Sequence, residues 1–196
     1  MNANQTNPNT FNTGGVTEFQ LTNPTIALAG SKTAGAPYIQ IHVNTTGMEN
    51  IQISYVLRDL ETGGDTGVQQ VALQYRIGET GNFVNVPAGY VAAATPIGSV
   101  AGPDIPINVT LPAALANQSK VQIRIITSDA AGNDQGVGID DILITGTAIP
   151  GTTLSIAATD ADKAEDNSGT TPFTFTISRA GDTSAQTNVD YAVTGS

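Results

Sequence analysis

The sequence has 196 residues, of which 12% are charged, and 17 Asp and Glu residues against 7 Lys and Arg residues give a formal net charge of −10. Such an acidic surface repels phosphate backbones and anionic lipid, so we expect neither a nucleic-acid partner nor membrane insertion. No hydrophobic run in the sequence approaches the ~20 residues of a membrane span. Cysteine is absent, which excludes thiol catalysis and thiolate metal sites.

The composition also predicts a cellular location. A Lys-poor, Thr-, Asn- and Gly-rich chain without cysteine is typical of a bacterial module that is secreted or exposed at the cell surface, where calcium can supply the cross-links that disulfides provide elsewhere. The alternative is an ordinary acidic cytosolic domain. Residues 1–13 lack the basic start and apolar core of a signal peptide, so a secreted protein would have lost its export signal or carried it outside this sequence.

In chain order, residues 1–15 are rich in Asn, Thr and Gly and predict an irregular N-terminal arm or an edge segment. Short strands follow at near-regular spacing, each with apolar residues at alternate positions. Residues 90–106 predict a long loop, and residues 112–117 predict at most one helical turn. Six or more alternating strands with one buried face predict an all-β fold, an antiparallel β-sandwich. The predicted strands are residues 38–43, 51–58, 71–77, 83–86, 107–111 and 121–126.

A further predicted strand, within the glycine-rich stretch 133–146, carries two adjacent carboxylates. Because successive side chains of a regular strand point to opposite faces, one of the two must point inward. A buried, unpaired carboxylate is too costly to keep, so it needs a cation, backbone N–H donors or a bulge that turns it back to water. The predicted faces are Val137, Ile139, Asp141 and Leu143 on one side and Asp140, Ile142 and Ile144 on the other.

Two kinds of cation fit the inward carboxylate. Calcium prefers hard oxygen ligands from loops and strand ends. An arginine can instead pair with a buried Asp, and the candidates are Arg58, Arg76 and Arg124. The sequence leaves both alternatives open.

Residues 71–87, 121–127 and 138–142 together resemble a jelly-roll module of large secreted bacterial proteins, some of which carry nuclease or phosphatase domains. The resemblance implies a jelly-roll-like sandwich over residues 16–146. The closing strand is also similar to the last strand of MAM-type and carbohydrate-binding jelly rolls, where an Asp in the position of Asp140 can hold a structural calcium. We therefore predict calcium ligation by Asp140, with Asp141, Asp134 and Asp65 as its neighbours.

Residues 147–151 form the predicted linker, and a strand, a Glu-x-x-Ser-Gly turn, a Phe-Thr-Phe strand and an Arg-x-Gly hairpin follow within residues 152–196. This pattern resembles the beginning of a Calx-beta domain. The resemblance implies a partial Ig-like β unit in which Glu165 can ligate calcium. We expect the unit to be incomplete, either because a fragment boundary cuts it or because a neighbouring subunit supplies the missing strands.

The sequence offers little for catalysis, and we expect no enzymatic activity. His42, the only histidine, falls on the polar face of a predicted strand, where a solvent-facing or hydrogen-bonded role fits better than that of a general base. No Gly-x-Ser-x-Gly elbow presents a serine. A glycosidase-type carboxylate pair would have to come from Asp59, Glu61 and Asp65, but acidic loops between strands are usually solvated turns or cation sites.

Two functions remain. The first is a calcium-stabilised structural or adhesive module, part of a larger secreted protein or of a filament that self-assembles by strand complementation. The second is an accessory carbohydrate-binding module of a secreted hydrolase or nuclease. Sugar sites usually use exposed aromatic platforms, and Tyr38, Tyr55 and Tyr75 fall on core-facing or strand positions. Only Tyr90 is then predicted to be free to stack, so the sequence favours the first function.

Overall fold

Strands with apolar residues at alternate positions dominate the computed structural model, which describes residues 2–10, 14–31, 34–61, 66–97, 101–132, 134–164, 167–183 and 185–192. The predicted all-β fold is confirmed, since these residues form twelve strands and two single 3₁₀ turns, Pro8–Thr10 and Ala113–Leu115. The chain divides into a first unit, Met1–Thr147, and a second unit, Ala148–Ser196. Within the described ranges no helix has the length and apolarity to cross a membrane.

Two sheets build the first unit as a jelly-roll-like sandwich. Their strands are β1 (Asn2–Gln5), β2 (Gly15–Phe19), β3 (Thr25–Ala29), β4 (Tyr38–Val43), β5 (Met48–Asp59), β6 (Gln69–Ile77), β7 (Val84–Thr95), β8 (Ile105–Thr110), β9 (Val121–Thr127) and β10 (Val137–Ala148). The six-stranded sheet has the order β1-β2-β3-β10-β5-β8, and the four-stranded sheet has the order β4-β9-β6-β7. The described strand pairs are antiparallel except β1 with β2.

The core lies between these sheets and follows the predicted alternation. Every second residue of the central strands points inward, and burying a Leu, Ile or Val side chain contributes about 1.5–3 kcal/mol. The inward members of β5, β6 and β9 are Ile51, Ile53, Tyr55, Leu57, Val71, Leu73, Val121, Ile123 and Ile125, all buried in one cluster. The intervening residues of the four-stranded sheet therefore face away from the core.

The predicted long loop over residues 90–106 is wrong at both of its ends. β7 continues to Thr95 and β8 begins at Ile105. The register of β7 against β6 shifts in two steps, so β7 bulges and absorbs extra residues. Gly89 lies where β7 meets β6, and a Cβ at this position would stand 2.5 Å from Cβ of Leu73. Gly89, directly before the predicted loop, thus serves close strand packing.

Two strands of the six-stranded sheet lack the pattern of apolar residues at alternate positions that predicts a strand. In β3, Ala27, Leu28 and Ala29 are all buried, so both sides of the strand are apolar. β1 falls within the residues expected to form an irregular arm or an edge segment, and it pairs with β2 at the edge of the sheet.

The described residues of the second unit include an antiparallel pair, β11 (Thr153–Asp160) and β12 (Thr174–Ala180). The register places Ile156 opposite Ile177 on one face, whereas Ser155 and Ser178 share the other face. The apolar side chains Leu154, Ile156, Phe175 and Ile177 are between 43% and 65% exposed. The Calx-beta assignment of residues 152–196 and the domain borders drawn from the sequence stay predictions.

Candidate functional site on the outer face of the four-stranded sheet

Polar side chains cover the outer face of the four-stranded sheet. Alternate side chains of β4, β6 and β9 point into the core, so the side chains between them point outward. The register places Gln40 and Gln74 on either side of Arg124. Asn85 of β7 lies opposite Gln74 and completes a row across all four strands. Side chains that lie directly opposite in a sheet have Cβ atoms about 5 Å apart, which allows them to contact one another.

Hydrogen bonds fix this row. Nε and Nη2 of Arg124 donate to Oε1 of Gln74 at 2.9 and 2.5 Å. Nε2 of Gln74 donates in turn to Oδ1 of Asn85 at 2.7 Å. Gln40 donates through Nε2 to Oε1 of Gln122 at 2.9 Å and so connects the row to its neighbour. The face therefore presents ordered amide and guanidinium groups.

The neighbouring row consists of His42, Gln122 and Arg76. Nη2 of Arg76 donates to Oε1 of Gln122 at 2.6 Å, and Nη1 donates to the carbonyl of Gly81 at 3.1 Å. The exposed His42 ring lies with Nε2 2.8 Å from Nε2 of Gln40. His42 is thus a hydrogen-bonded residue of the polar face.

Tyr90 lies in β7 beside these rows rather than in a loop. Its ring is 51% exposed, and its hydroxyl donates to Oε1 of Gln70 at 2.7 Å. A cleft of about 270 Å³ opens next to the ring, lined among others by Gln70, Gln74, Asn85 and the small Ala72. One exposed aromatic ring and three amide side chains therefore meet in one depression of the surface.

Two further aromatic rings pack against the arginines. The guanidinium carbons of Arg124 and Arg76 lie 3.9 and 4.6 Å from the ring centroid of Phe83, within cation–π range. Arg124 also lies 4.9 Å from the ring centroid of Tyr38. Tyr38 is 46% exposed, so the prediction that Tyr90 alone is free to stack is too narrow.

On the six-stranded sheet, the carboxylate of Asp140 is paired with an arginine of the neighbouring strand β5. Its Oδ2 lies 3.2 Å from Nη1 of Arg58 and 2.7 Å from Nδ2 of Asn23, and Oγ1 of Thr25 lies at 3.3 Å. Its Oδ1 accepts the backbone N–H of Asp141 at 2.9 Å. Donors therefore contact both carboxylate oxygens, and the arginine alternative describes the contacts at Asp140. Calcium binding by the chain stays a prediction.

A backbone irregularity changes the predicted faces of β10. Asp141 has a φ of 52°, in the left-handed region, and interrupts the alternation at this point. Ile139 is buried, but Leu143, predicted to share its face, is 58% exposed, and Ile144 of the other predicted face packs against the core. The predicted grouping of Leu143 with Ile139 is therefore wrong. The sequence does not reveal where a backbone irregularity reverses the direction in which the side chains of a strand point.

Of the other predicted metal ligands, Asp141 contacts the Asp140 carboxylate through its backbone N–H, and no described contact brings Asp134 to it. Oδ1 of Asp134 accepts hydrogen bonds from Nε2 of Gln69 and from the backbone N–H of Ala130, both at 2.9 Å. Asp65 and Glu165 lie outside the described residues. Within the described part of the chain, no group of three or more His, Asp and Glu side chains is close enough to hold a metal ion.

Asp59 and Glu61, two of the three carboxylates considered for catalysis, are enclosed, and Asp65 lies outside the described residues. Asp59 is 6% and Glu61 is 5% exposed. Oδ2 of Asp59 accepts the backbone N–H of Gly102 at 2.8 Å, and Oε1 of Glu61 accepts that of Gly136 at 2.6 Å. Neither side chain lines the cleft beside Tyr90. Both carboxylates therefore tie loops to the end of β5.

No protein-family model and no curated protein matches the chain. Among solved structures, it is similar to the enzymatically active domain of bacteriophage CBA120 tailspike protein 4, with 13% identity, 69% of this chain covered, a TM-score of 0.39, and only 18% of that chain spanned. It is also similar to a carbohydrate-binding module specific for non-crystalline cellulose, CBM28, with 14% identity, 74% of this chain and 99% of that chain covered, and a TM-score of 0.46. The structure of the infectious bursal disease virus Gx strain shares 18% identity over 63% of this chain and 29% of that chain, with a TM-score of 0.37.

These identities and TM-scores are low, so the function has to be argued from the residues of this chain. The fold and the candidate site define the chain as an antiparallel β-sandwich module with a polar, aromatic outer sheet face. Sequence patterns alone reveal the outward residues of each strand but not the row that they form, because rows depend on which strands are neighbours.

Proposed function

We propose that the chain is a non-catalytic, extracellular carbohydrate-binding module that holds a glycan on the outer face of its four-stranded sheet. The observation that carries the proposal is the cleft beside Tyr90, in which an exposed ring meets three amide side chains. The acidic, cysteine-free composition supports the extracellular setting. The buried, backbone-bonded Asp59 and Glu61 support the absence of catalysis at this face.

The chemistry of the cleft suits a sugar ring. Sugars have apolar faces that pack against aromatic rings and rims of hydroxyl groups that both donate and accept hydrogen bonds. Each Gln or Asn amide can donate two hydrogen bonds and accept two, so an amide that is already bonded to a neighbour keeps capacity for a ligand. Gln70 accepts one bond from Tyr90 and keeps a lone pair for a ligand. Gln74 accepts two bonds from Arg124 and donates one to Asn85, so it keeps one N–H for a ligand in the cleft.

The test is a glycan array followed by calorimetric titration of each hit with the full chain. Tyr90→Ala should weaken binding about tenfold, because it removes a stacking contact worth about 1.4 kcal/mol. Tyr90→Phe keeps the ring and should bind nearly as tightly as the wild type. Tyr191→Ala is the matched control, since Tyr191 is 83% exposed but belongs to the second unit.

Two results would contradict the proposal. One is an array without hits when circular dichroism shows that the protein is folded. The other is a Tyr90→Ala variant that binds every hit as tightly as the wild type does.

The exposed apolar face of the second unit favours a second candidate function, a structural module that assembles with other chains. The β11-β12 pair presents Ile156 and Ile177 to the surface on one face, and an isolated pair of strands is marginally stable in water. Exposed apolar patches of this kind often mark protein–protein contacts.

Light scattering of the full chain, in calcium and again in chelator, tests assembly. Ile156→Lys should abolish any larger species, whereas Ser155→Lys, on the opposite face, should leave them intact. Species that dissociate in chelator would indicate calcium-dependent assembly. A monomer under both conditions would remove this second function and leave the glycan proposal untouched.

A further inference from the structure

Two arginines on the outer face lie at a single aromatic ring. Arg76 in β6 and Arg124 in β9 both stack on Phe83, with their guanidinium carbons 4.6 and 3.9 Å from its centroid. The register places Arg124 opposite Gln74 and Arg76 opposite Gln122, so both side chains belong to the outward rows. The two positive charges are therefore close neighbours.

Neither arginine has a carboxylate partner among the described residues. Arg58 pairs with Asp140, and Lys120 with Glu79. Arg76 and Arg124 instead donate only to neutral acceptors, an amide oxygen in each case and, for Arg76, also a backbone carbonyl. The chain has 17 acidic and only 7 basic residues, so leaving two adjacent cations without an acidic neighbour runs against its composition.

The surroundings of the two guanidinium groups also disfavour their positive charges. Nε of Arg76 is buried and has no hydrogen-bond partner among the described residues. Burial lowers the pKa of the Arg124 guanidinium, Tyr38 raises it in part, and the charge of Arg76 lowers it again. The two positive charges repel each other in the free protein, and an anion bound between them would offset this repulsion. A guanidinium presents N–H groups in a fixed fork that matches carboxylate and sulfate oxygens.

The arginine pair is continuous with the cleft beside Tyr90. Gln74 lines the cleft, and its Oε1 accepts both hydrogen bonds from Arg124. A ligand that follows the row from the cleft therefore reaches the guanidinium of Arg124 directly. An extended chain molecule with sugar rings and regularly spaced acidic groups would satisfy both parts of the face.

We propose that the ligand of the outer face is an acidic polysaccharide, whose sugar ring occupies the cleft beside Tyr90 and whose anionic group binds Arg76 and Arg124. This inference rests on the proposed carbohydrate-binding function and adds the chemical class of the glycan. The net charge of −10 repels every polyanion, so the acidic ligand has to be held locally by the two arginines. A nucleic acid fits less well, because proteins that bind single strands use a continuous basic groove, whereas amide side chains flank this arginine pair.

The experiment compares the affinity of the full chain for polygalacturonate, dextran sulfate, neutral hydroxyethylcellulose and a single-stranded DNA oligonucleotide. The wild type should bind at least one acidic polysaccharide about tenfold more tightly than the neutral one. This preference should fall as salt is raised, because salt screens exposed charges. Polygalacturonate and dextran sulfate distinguish a carboxylate from a sulfate as the bound group, and tight binding of either supports the inference.

Arg124→Gln should reduce the affinity for the acidic polysaccharide about tenfold more than it reduces the affinity for the neutral one. Lys163→Gln removes one positive charge from the second unit and is the matched control, expected to have no effect. If Arg124→Gln fails to fold, as a thermal melt would reveal, Arg76→Gln and the salt dependence of the wild type decide in its place.

Three outcomes would overturn the inference. Equal affinity for neutral and acidic polysaccharides would overturn the inference and leave the carbohydrate-binding function in place. DNA binding as tight as the best polysaccharide would show that the face selects charge rather than sugar. Failure of every polysaccharide to bind would remove the inference, and the glycan array would then decide whether the carbohydrate-binding function stands.

Discussion

The hydroxyl group of Tyr55 is buried in the core of the first unit and has no hydrogen-bond partner among the described residues. A buried polar group without a partner costs free energy, whereas its ring fills the core. Burial also raises the pKa of the Tyr55 hydroxyl above its ordinary value of 10.0. The folded state therefore favours the neutral phenol.

We predict that Tyr55→Phe keeps or raises the free energy of unfolding at pH 7, by up to about 1 kcal/mol, because it removes the unpaired hydroxyl and keeps the ring. A raised folded-state pKa gives a contribution that is complete below the unfolded pKa of about 10 and is lost as the pH rises above it. Melting temperatures of both proteins, measured from about pH 8 to about pH 12, test this. The wild type should lose stability faster than the variant above pH 10, and parallel curves would contradict the prediction.

Asp140 shows how far the partner of a side chain can be predicted from the sequence. The sequence leaves open calcium, a bulge or one of three arginines, and the structure combines an irregularity at Asp141 with Arg58. This choice could not be made from the sequence, because it depends on β10 lying beside β5 while Arg76 and Arg124 belong to the other sheet. Strand order is a property of long-range pairing that alternation does not encode.

Asp140→Ala should lower the free energy of unfolding by about 2 kcal/mol in chelator, because it leaves the half-buried Arg58 without its closer carboxylate. Asp141→Asn is the control, since Asn tolerates the left-handed backbone and the side chain is exposed. Denaturant melts in calcium and in chelator provide the measurement. A loss that appears only in calcium would contradict this prediction and support the metal role predicted for Asp140.

At the scale of the strand, alternation predicted β4, β5, β6, β8 and β9 close to their observed bounds. It failed for β3, whose residues are apolar on both sides, and for the second half of β7. In β7 the segment after Val86 contains Pro87 and Gly89, which suggest a loop when only local preferences are considered. The partner strand overrides these preferences, since the bulged pairing with β6 requires a small residue beside Leu73.

Gly89→Ala should therefore destabilise the first unit by about 1–3 kcal/mol, because the added methyl group would overlap the Leu73 side chain. Gly35→Ala is the matched control, since the nearest atom to a Cβ at that position is 3.8 Å away and no strain is expected. Urea unfolding monitored by circular dichroism compares the two. Equal stability of both variants would mean that β7 does not pack on β6 as described.

At the scale of the whole molecule, the core belongs to one unit. All members of the main hydrophobic cluster, from Val16 to Ile144, precede the second unit. The outer face with Tyr90, Arg76 and Arg124 also lies entirely within the first unit. Folding and ligand binding should therefore not depend on the β11-β12 pair.

A fragment of residues 1–147 should fold cooperatively, with a melting temperature within about 5 °C of that of the full chain. It should also bind any glycan that the full chain binds with the same affinity. Thermal melts and calorimetric titrations of both proteins make the comparison. An unfolded fragment would show that the second unit contributes to the stability of the first.

The hydrogen bonds among the side chains of the outer face have a consequence for the entropy of recognition. Immobilising a long side chain such as Gln or Arg costs up to about 2 kcal/mol in lost rotamer freedom. Here Arg124, Gln74 and Asn85 already restrain one another before any ligand arrives. A docking molecule would meet groups that are ordered in advance, so this loss of freedom accompanies the folding of the chain rather than the formation of the complex.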